Sequence, residues 1–245
     1  MIRKSSGFKQ VLGTALVVAA ALAAPAHAEV IGFEGGYGAV GGTEVYTEGN
    51  YNFGFYANVP DGGEGSLVGQ FINGIDSDCD TSMACPVGHA GTYYGALNDS
   101  YIDILSDTIS AFSIKSFDAG FIGSSANLGS YPSVPALLRL QGILADGSYL
   151  LQDFALDGAT AGGFGFGHFE TTGAFADTGF VEVLAFGLVC NTSGNCSGFN
   201  SNRAQFGIDN IDMVDMAASD VPEPGTLAML GLGFAGLLGA RRRKS

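Results

Sequence analysis

The chain has 245 residues, with 24 acidic and 10 basic side chains, a formal net charge of −14 and 39 glycines. Such an acid excess excludes nucleic acid and anionic membrane surfaces as partners of the exported region, because both require clustered cations. The glycines follow no three-residue period, which excludes collagen, and no stretch of residues 29–220 keeps a helical apolar period for three turns, which excludes helical bundles.

Arg3, Lys4 and Lys9 precede an apolar run over residues 11–24, and Ala26-His27-Ala28 forms a small-x-small cleavage site. Residues 1–28 therefore read as a signal peptide for signal peptidase, with Glu29 as the first mature residue. Three of the ten basic side chains lie in this leader and four at the C-terminus, leaving Lys115, Arg139 and Arg203 over residues 29–220. Against them stand all the acids except Glu223, twenty-three in number, so the region carries −20.

Along that region short β-type runs alternate with glycine-rich turns. Residues 30–34 and 44–56 read as strands, and Asp61-Gly62-Gly63 turns the chain into a strand over 67–72. Residues 76–91 form a polar loop, and strands resume over 101–105 and 109–117. Asp146-Gly147 between the runs 137–144 and 149–156 predicts a hairpin with a type I′ turn. Runs over 164–169, 180–189 and 205–211 complete the set, the second of them expected to be buried on both faces. Many short strands without intervening helices predict an all-β antiparallel sandwich over residues 29–218.

Two equal spacings, Cys79 to Cys85 and Cys190 to Cys196, predict two local disulfides in an exported protein, although four cysteines allow three pairings. Asp76, Asp78 and Asp80 imitate the opening of a calcium loop. The imitation stops at Thr81, where glycine is expected, and at Val87, where the bidentate glutamate belongs. His89 with Tyr93 and Tyr94 is a candidate sugar platform, against which the absence of tryptophan counts. Catalytic machinery is thin. His89 and His168 are the histidines beyond the leader, no nucleophile sits in a recognisable motif, and acid pairs such as Asp153 with Asp157 are common in any acidic chain. The expectation is a protein that is not an enzyme.

The last segment, residues 219–245, is a sorting tail in three parts. Val221, Pro222, Glu223 and Pro224 with Gly225 form an extended motif, because each proline fixes its own φ and restrains its predecessor. An apolar run follows over 226–240, expected to be a single helix shorter than the roughly twenty residues that span a bilayer. Arg241, Arg242, Arg243 and Lys244 then hold the end on the cytoplasmic side.

In this order of parts the tail resembles the PEP-CTERM sorting signal of Gram-negative bacterial proteins. The resemblance implies a substrate of exosortase that passes transiently through the inner membrane, is processed near Pro222 to Pro224 and reaches the cell surface or extracellular space of an exopolysaccharide-producing species. Ile31-Gly32-Phe33-Glu34, Ser116-Phe117-Asp118-Ala119 and Phe206-Gly207-Ile208-Asp209-Asn210-Ile211 look like the jelly-roll domains common among such proteins and are similar to galactose-binding-like carbohydrate modules. That second resemblance implies paired terminal strands, with Glu34 and Asp209 holding a structural calcium together with backbone carbonyls. The expected role is a structural component of the cell surface or biofilm matrix. The alternatives are a carbohydrate-binding module associated with exopolysaccharide and a secreted hydrolase.

Overall fold

Branched and aromatic residues at every second position give the chain strands with one greasy face each, and two sheets close over those faces in the computed structural model, which describes residues 28–75, 79 and 82–216. Residues 1–27 of the leader, the acidic triplet Asp76, Asp78 and Asp80, and the tail with its motif, apolar run and basic end lie outside the described residues. No helix among the described residues is long and apolar enough to cross a membrane.

Strands follow in the order β1 (Ala28–Ile31), β2 (Gly38–Gly41), β3 (Val45–Glu48), β4 (Tyr51–Tyr56), β5 (Leu67–Asn73), β6 (Met83–Ala84), β7 (Thr92–Ala96) and β8 (Tyr101–Leu105). Then come β9 (Phe112–Phe121), β10 (Gly123–Ser124), a 3-10 turn (Ser125–Ser130), β11 (Ala136–Ile143), β12 (Tyr149–Leu156) and β13 (Gly167–Glu170). A single helical turn α1 (Gly173–Asp177), β14 (Glu182–Cys190), β15 (Cys196–Ser197) and β16 (Phe206–Asp215) complete the domain.

The first sheet has the order β13-β9-β16-β7-β5-β2, with β1 also on β16, and the second β12-β11-β14-β8-β4-β3, with β15 on β14. All the named strand pairs are antiparallel, and the domain is a β-sandwich of jelly-roll type. The terminal strands pair, Ile31 opposite Ile211. Between the sheets lies one large core rich in aromatic rings. Phe33 packs edge-on to Phe53 at 5.2 Å, and Phe55 stacks on Tyr94 at 4.1 Å between centroids.

The structure differs from the sequence reading in four places. Residues 44–56 form a hairpin of two strands, because Gly49 at φ +59° turns the chain between β3 and β4. The β11–β12 hairpin forms with Ile143 opposite Tyr149, but only Gly147 has positive φ (+83°) and Leu144 N–H donates to Ser148 C=O. That is a three-residue loop with glycine in the left-handed position, not a type I′ turn, which needs positive φ twice. Strand β14 buries Val183 and Ala185 fully but leaves Leu184 and Phe186 half-exposed, since no layer covers the outer face of its sheet. Strands β2 and β7 were not anticipated; β2 holds one branched residue, Val40, among glycines and alanine.

Candidate functional site

Where β1 ends, the chain must leave the first sheet abruptly, and one carboxylate fixes how it does so. Glu48 accepts from Gly32 N–H and Phe33 N–H, each at 3.0 Å, and from the Tyr46 hydroxyl at 2.8 Å. Phe33 sits at φ +53° with its ring fully buried, a conformation costing a non-glycine residue about 1 kcal/mol and held here by the core. Glu34 consequently emerges beside the start of β7. Its Oε1 accepts from Thr92 N–H at 3.3 Å and lies where a Cβ on Gly91 (φ +112°) would collide with it.

Asp209 sits in the middle of β16, with Ile208 facing the core and Asp209 the opposite side of the sheet. It stands directly across from Asp118 of β9, which in turn faces His168 of β13, so three polar side chains form one cross-strand row. Asp118 is fully partnered, by His168 Nδ1 and by Asn210 Nδ2, both at 2.8 Å. Asp209 is not. Only 2% exposed, it meets His89 Nε2 at 2.5 Å through Oδ2, while Oδ1 is buried without a hydrogen-bond partner. The imidazole is itself clamped between Tyr93 and Phe166, whose rings reach the sheet only because Gly207 has no side chain to hold them off.

The electrostatics follow from that crowding. Burial pushes the Asp209 carboxyl up to about 8, and the charges of Glu34, Asp118 and Glu48 add to it, opposed by the Asn210 backbone N–H. Burial lowers the pKa of His89, against the pull of Asp118 and Glu34. Glu34 and Asp209 are therefore electrostatic neighbours. A buried oxygen without a partner, ringed by carboxylates, is hard-donor chemistry that suits calcium. The side chains that would hold the ion are Glu34 and Asp209. Among the described residues no three His, Cys, Asp or Glu side chains form a metal-binding group, so backbone carbonyls and water would supply the remaining ligands.

The sugar platform expected at His89, Tyr93 and Tyr94 needs correction. Tyr93 is 1% exposed and Tyr94 fully buried, and as neighbours on one strand they face opposite ways. Tyr94 belongs to the main core, while Tyr93 belongs to a small second core with Ile72, Leu97 and Ile122 beneath the first cysteine loop. The disulfides themselves pair Cys79 with Cys85 and Cys190 with Cys196, as the spacing predicts.

An aromatic row lies instead on the outer face of the second sheet, where the sequence gives no local sign of it. The registers of β4, β8, β14, β11 and β12 align Tyr56, Tyr101, Phe186, Arg139 and Asp153 in a single line. At the usual strand spacing that line is about 19 Å long. Tyr56 and Tyr101 stack at 5.5 Å, Phe199 from the second cysteine loop closes on Phe186 at 5.2 Å, and Arg139 holds Asp153 through two hydrogen bonds of 2.6 and 2.7 Å. Beside the row, Asp103 keeps one oxygen buried and without a partner, its carboxyl raised to about 6 by burial and by Glu182.

Asp99 ties that loop down. At the turn before β8 it accepts from Ser201 N–H at 3.0 Å, Asn202 N–H at 2.9 Å and Ala204 N–H at 2.7 Å, and is 4% exposed. One carboxylate thus fixes the segment that carries Phe199 to the sheet face and Arg203 to the end of the sandwich.

Two-sheet architecture, paired termini and loop staples define the class, a jelly-roll β-sandwich. Its structural likeness is to a DUF4465 family protein from Bacteroides caccae, 14% identical at a TM-score of 0.50, covering 78% of this chain and all of that one. The xylan-binding domain CBM22-2 from Paenibacillus barcinonensis is 11% identical at a TM-score of 0.37, covering 77% of this chain and 99% of that one. At such identities the likeness concerns the fold alone. No curated protein sequence matches the chain. Residues 220–244 match the PEP-CTERM protein-sorting motif, so the chain carries a jelly-roll domain followed by an exosortase sorting signal, which implies export with passage through the membrane.

Proposed function

We propose that the chain is an exported structural protein of the cell surface or extracellular matrix, released by signal peptidase at Glu29 and processed by exosortase within the segment Val221 to Pro224. The sorting motif at 220–244 carries this reading. Two features support it. Local disulfides suit an oxidising compartment, and the acidic domain suits a hydrated polymeric matrix in which solubility matters more than close association. Glu34 and Asp209 hold a structural calcium where the first and last strands meet. A variant ending at Ala218, expressed in the native host, is expected to be exported but to lose its attachment to the cell surface. Identical distribution of this variant and the full chain would remove the tail from the account.

A second reading, carbohydrate binding, is favoured by one observation, the open row of Tyr56, Tyr101 and Phe186 with Phe199 above it. Aromatic rings flanked by the Arg139–Asp153 pair combine apolar area with hydrogen-bonding groups, as sugar recognition requires.

A further inference from the structure

We propose that the cleft between the two disulfide loops binds a carboxylated sugar residue, with Arg203 taking its carboxylate. The cleft is a concavity of about 670 Å³ at one end of the sandwich, within the size range of ligand sites. Met83 from the first cysteine loop stands on one side of it, and Asn191 and Thr192 from the second stand on another.

The described lining of the cleft differs in charge from the region as a whole. The region between leader and tail carries −20, yet among the described residues no Asp or Glu lines the cleft, while Arg203 does. Each of the other two cations in that region is engaged. Arg139 pairs with Asp153, and Lys115 Nζ donates to Ala176 C=O at 2.5 Å. Arg203 is exposed and has no hydrogen bond or ion pair among the described residues. An unpaired guanidinium matches a carboxylate through two parallel hydrogen bonds.

The remaining lining suits a sugar ring. Tyr131 and Pro132 supply flat apolar surface, and Tyr131 is fixed by accepting Ser124 N–H at 2.7 Å and by edge contacts with Phe121 and Phe164. Asn191 uses Oδ1 to accept from Ser193 N–H and Asn195 N–H, leaving its Nδ2 to donate. A disulfide beside each wall and Asp99 under the Arg203 segment hold the cleft in shape, so little ordering is required on binding. Acids elsewhere on the domain repel an anionic ligand, but at physiological salt their reach is only about 8 Å.

The inference rests on the carbohydrate reading but gives it a second site, apart from the aromatic row, and assigns that site to acidic glycans. The test is calorimetric titration of the full-length protein, in detergent and with a calcium chelator present. The probes are galacturonate, glucuronate and mannuronate oligomers and their carboxyl-reduced, neutral counterparts. One uronate is expected to bind at least tenfold more tightly than its neutral counterpart. Arg203→Gln is expected to weaken that uronate on the order of 10- to 100-fold, the loss of a charge-assisted pair, and to leave the neutral sugars unchanged. Arg203→Lys should restore part of the difference. Equal binding of charged and neutral forms, indifferent to Arg203→Gln, would overturn the carboxylate assignment and leave carbohydrate binding standing. No binding of any probe at millimolar concentration would overturn the cleft as a sugar site.

Discussion

Replacing Asp209 with asparagine is expected to abolish a loss of stability that the wild-type domain undergoes between about pH 6.5 and pH 8. The folded-state carboxyl titrates at about 8, well above its ordinary value near 3.8, so over this interval the unfolded chain has released a proton that the folded chain keeps. Stability must then fall as pH rises, by about 1.4 kcal/mol per unit and about 2 kcal/mol over the interval. His89 does not offset the fall there, because above about 6.5 its imidazole is neutral in both states; below that pH its lowered pKa gives the opposite slope. Asp103, raised to about 6, has completed its own contribution by then.

Calcium, if held by Glu34 and Asp209, takes the place of the proton. Thermal unfolding with millimolar calcium is expected to raise the midpoint at pH 8 more than at pH 6, and to do neither in Asp209→Asn. A wild-type profile that is flat from pH 6.5 to 8 without calcium would mean that the folded Asp209–His89 pair holds no proton over this range, with Asp209 ionised beside a neutral imidazole, contrary to this account.

Asp99→Ala is the second large effect. It strips the acceptor from three backbone N–H groups at once, of which Ala204 N–H is buried and cannot turn to water. At the cost of leaving buried donors unpaired, the loss is about 3 kcal/mol, with roughly another 1 kcal/mol from placing alanine at φ +54°. Asp99→Asn tolerates that φ and keeps one acceptor oxygen, so it should lose less than half as much. Urea denaturation measures both. If the alanine variant lost under 1 kcal/mol, the segment 197–205 would not depend on Asp99, and the shared support of Phe199 and Arg203 would go with it.

Local chemistry was legible in the sequence and cross-strand chemistry was not. Asp146-Gly147 marked a hairpin because the turn lies within a few residues, although which turn it makes depends on a φ at Asp146 that strand twist decides. Equal cysteine spacings marked both disulfides for the same reason. The pairing of β1 with β16, and the approach of Glu34 to Asp209, came through resemblance to sandwiches whose termini meet. Tyr56, Tyr101 and Phe186 carry no signature of their own, since they become a row only through registers between strands up to 130 residues apart. Asp118 is likewise brought opposite Asp209 by register, and His168 opposite Asp118 from 50 residues away. Tyr93 and Tyr94 misled in the other direction. Adjacent tyrosines look like a surface platform, yet alternation along a strand sends one into the main core and the other beneath a disulfide loop.

Intact mass of the protein recovered from the native cell surface or culture medium, with and without reductant, tests the central claim most directly. The account predicts a species that begins at Glu29, lacks Arg241, Arg242, Arg243 and Lys244, and gains the four hydrogens of two disulfides on reduction. A species that still ends at Ser245 would contradict processing through the sorting tail and would move the search for this domain's role to the inner membrane.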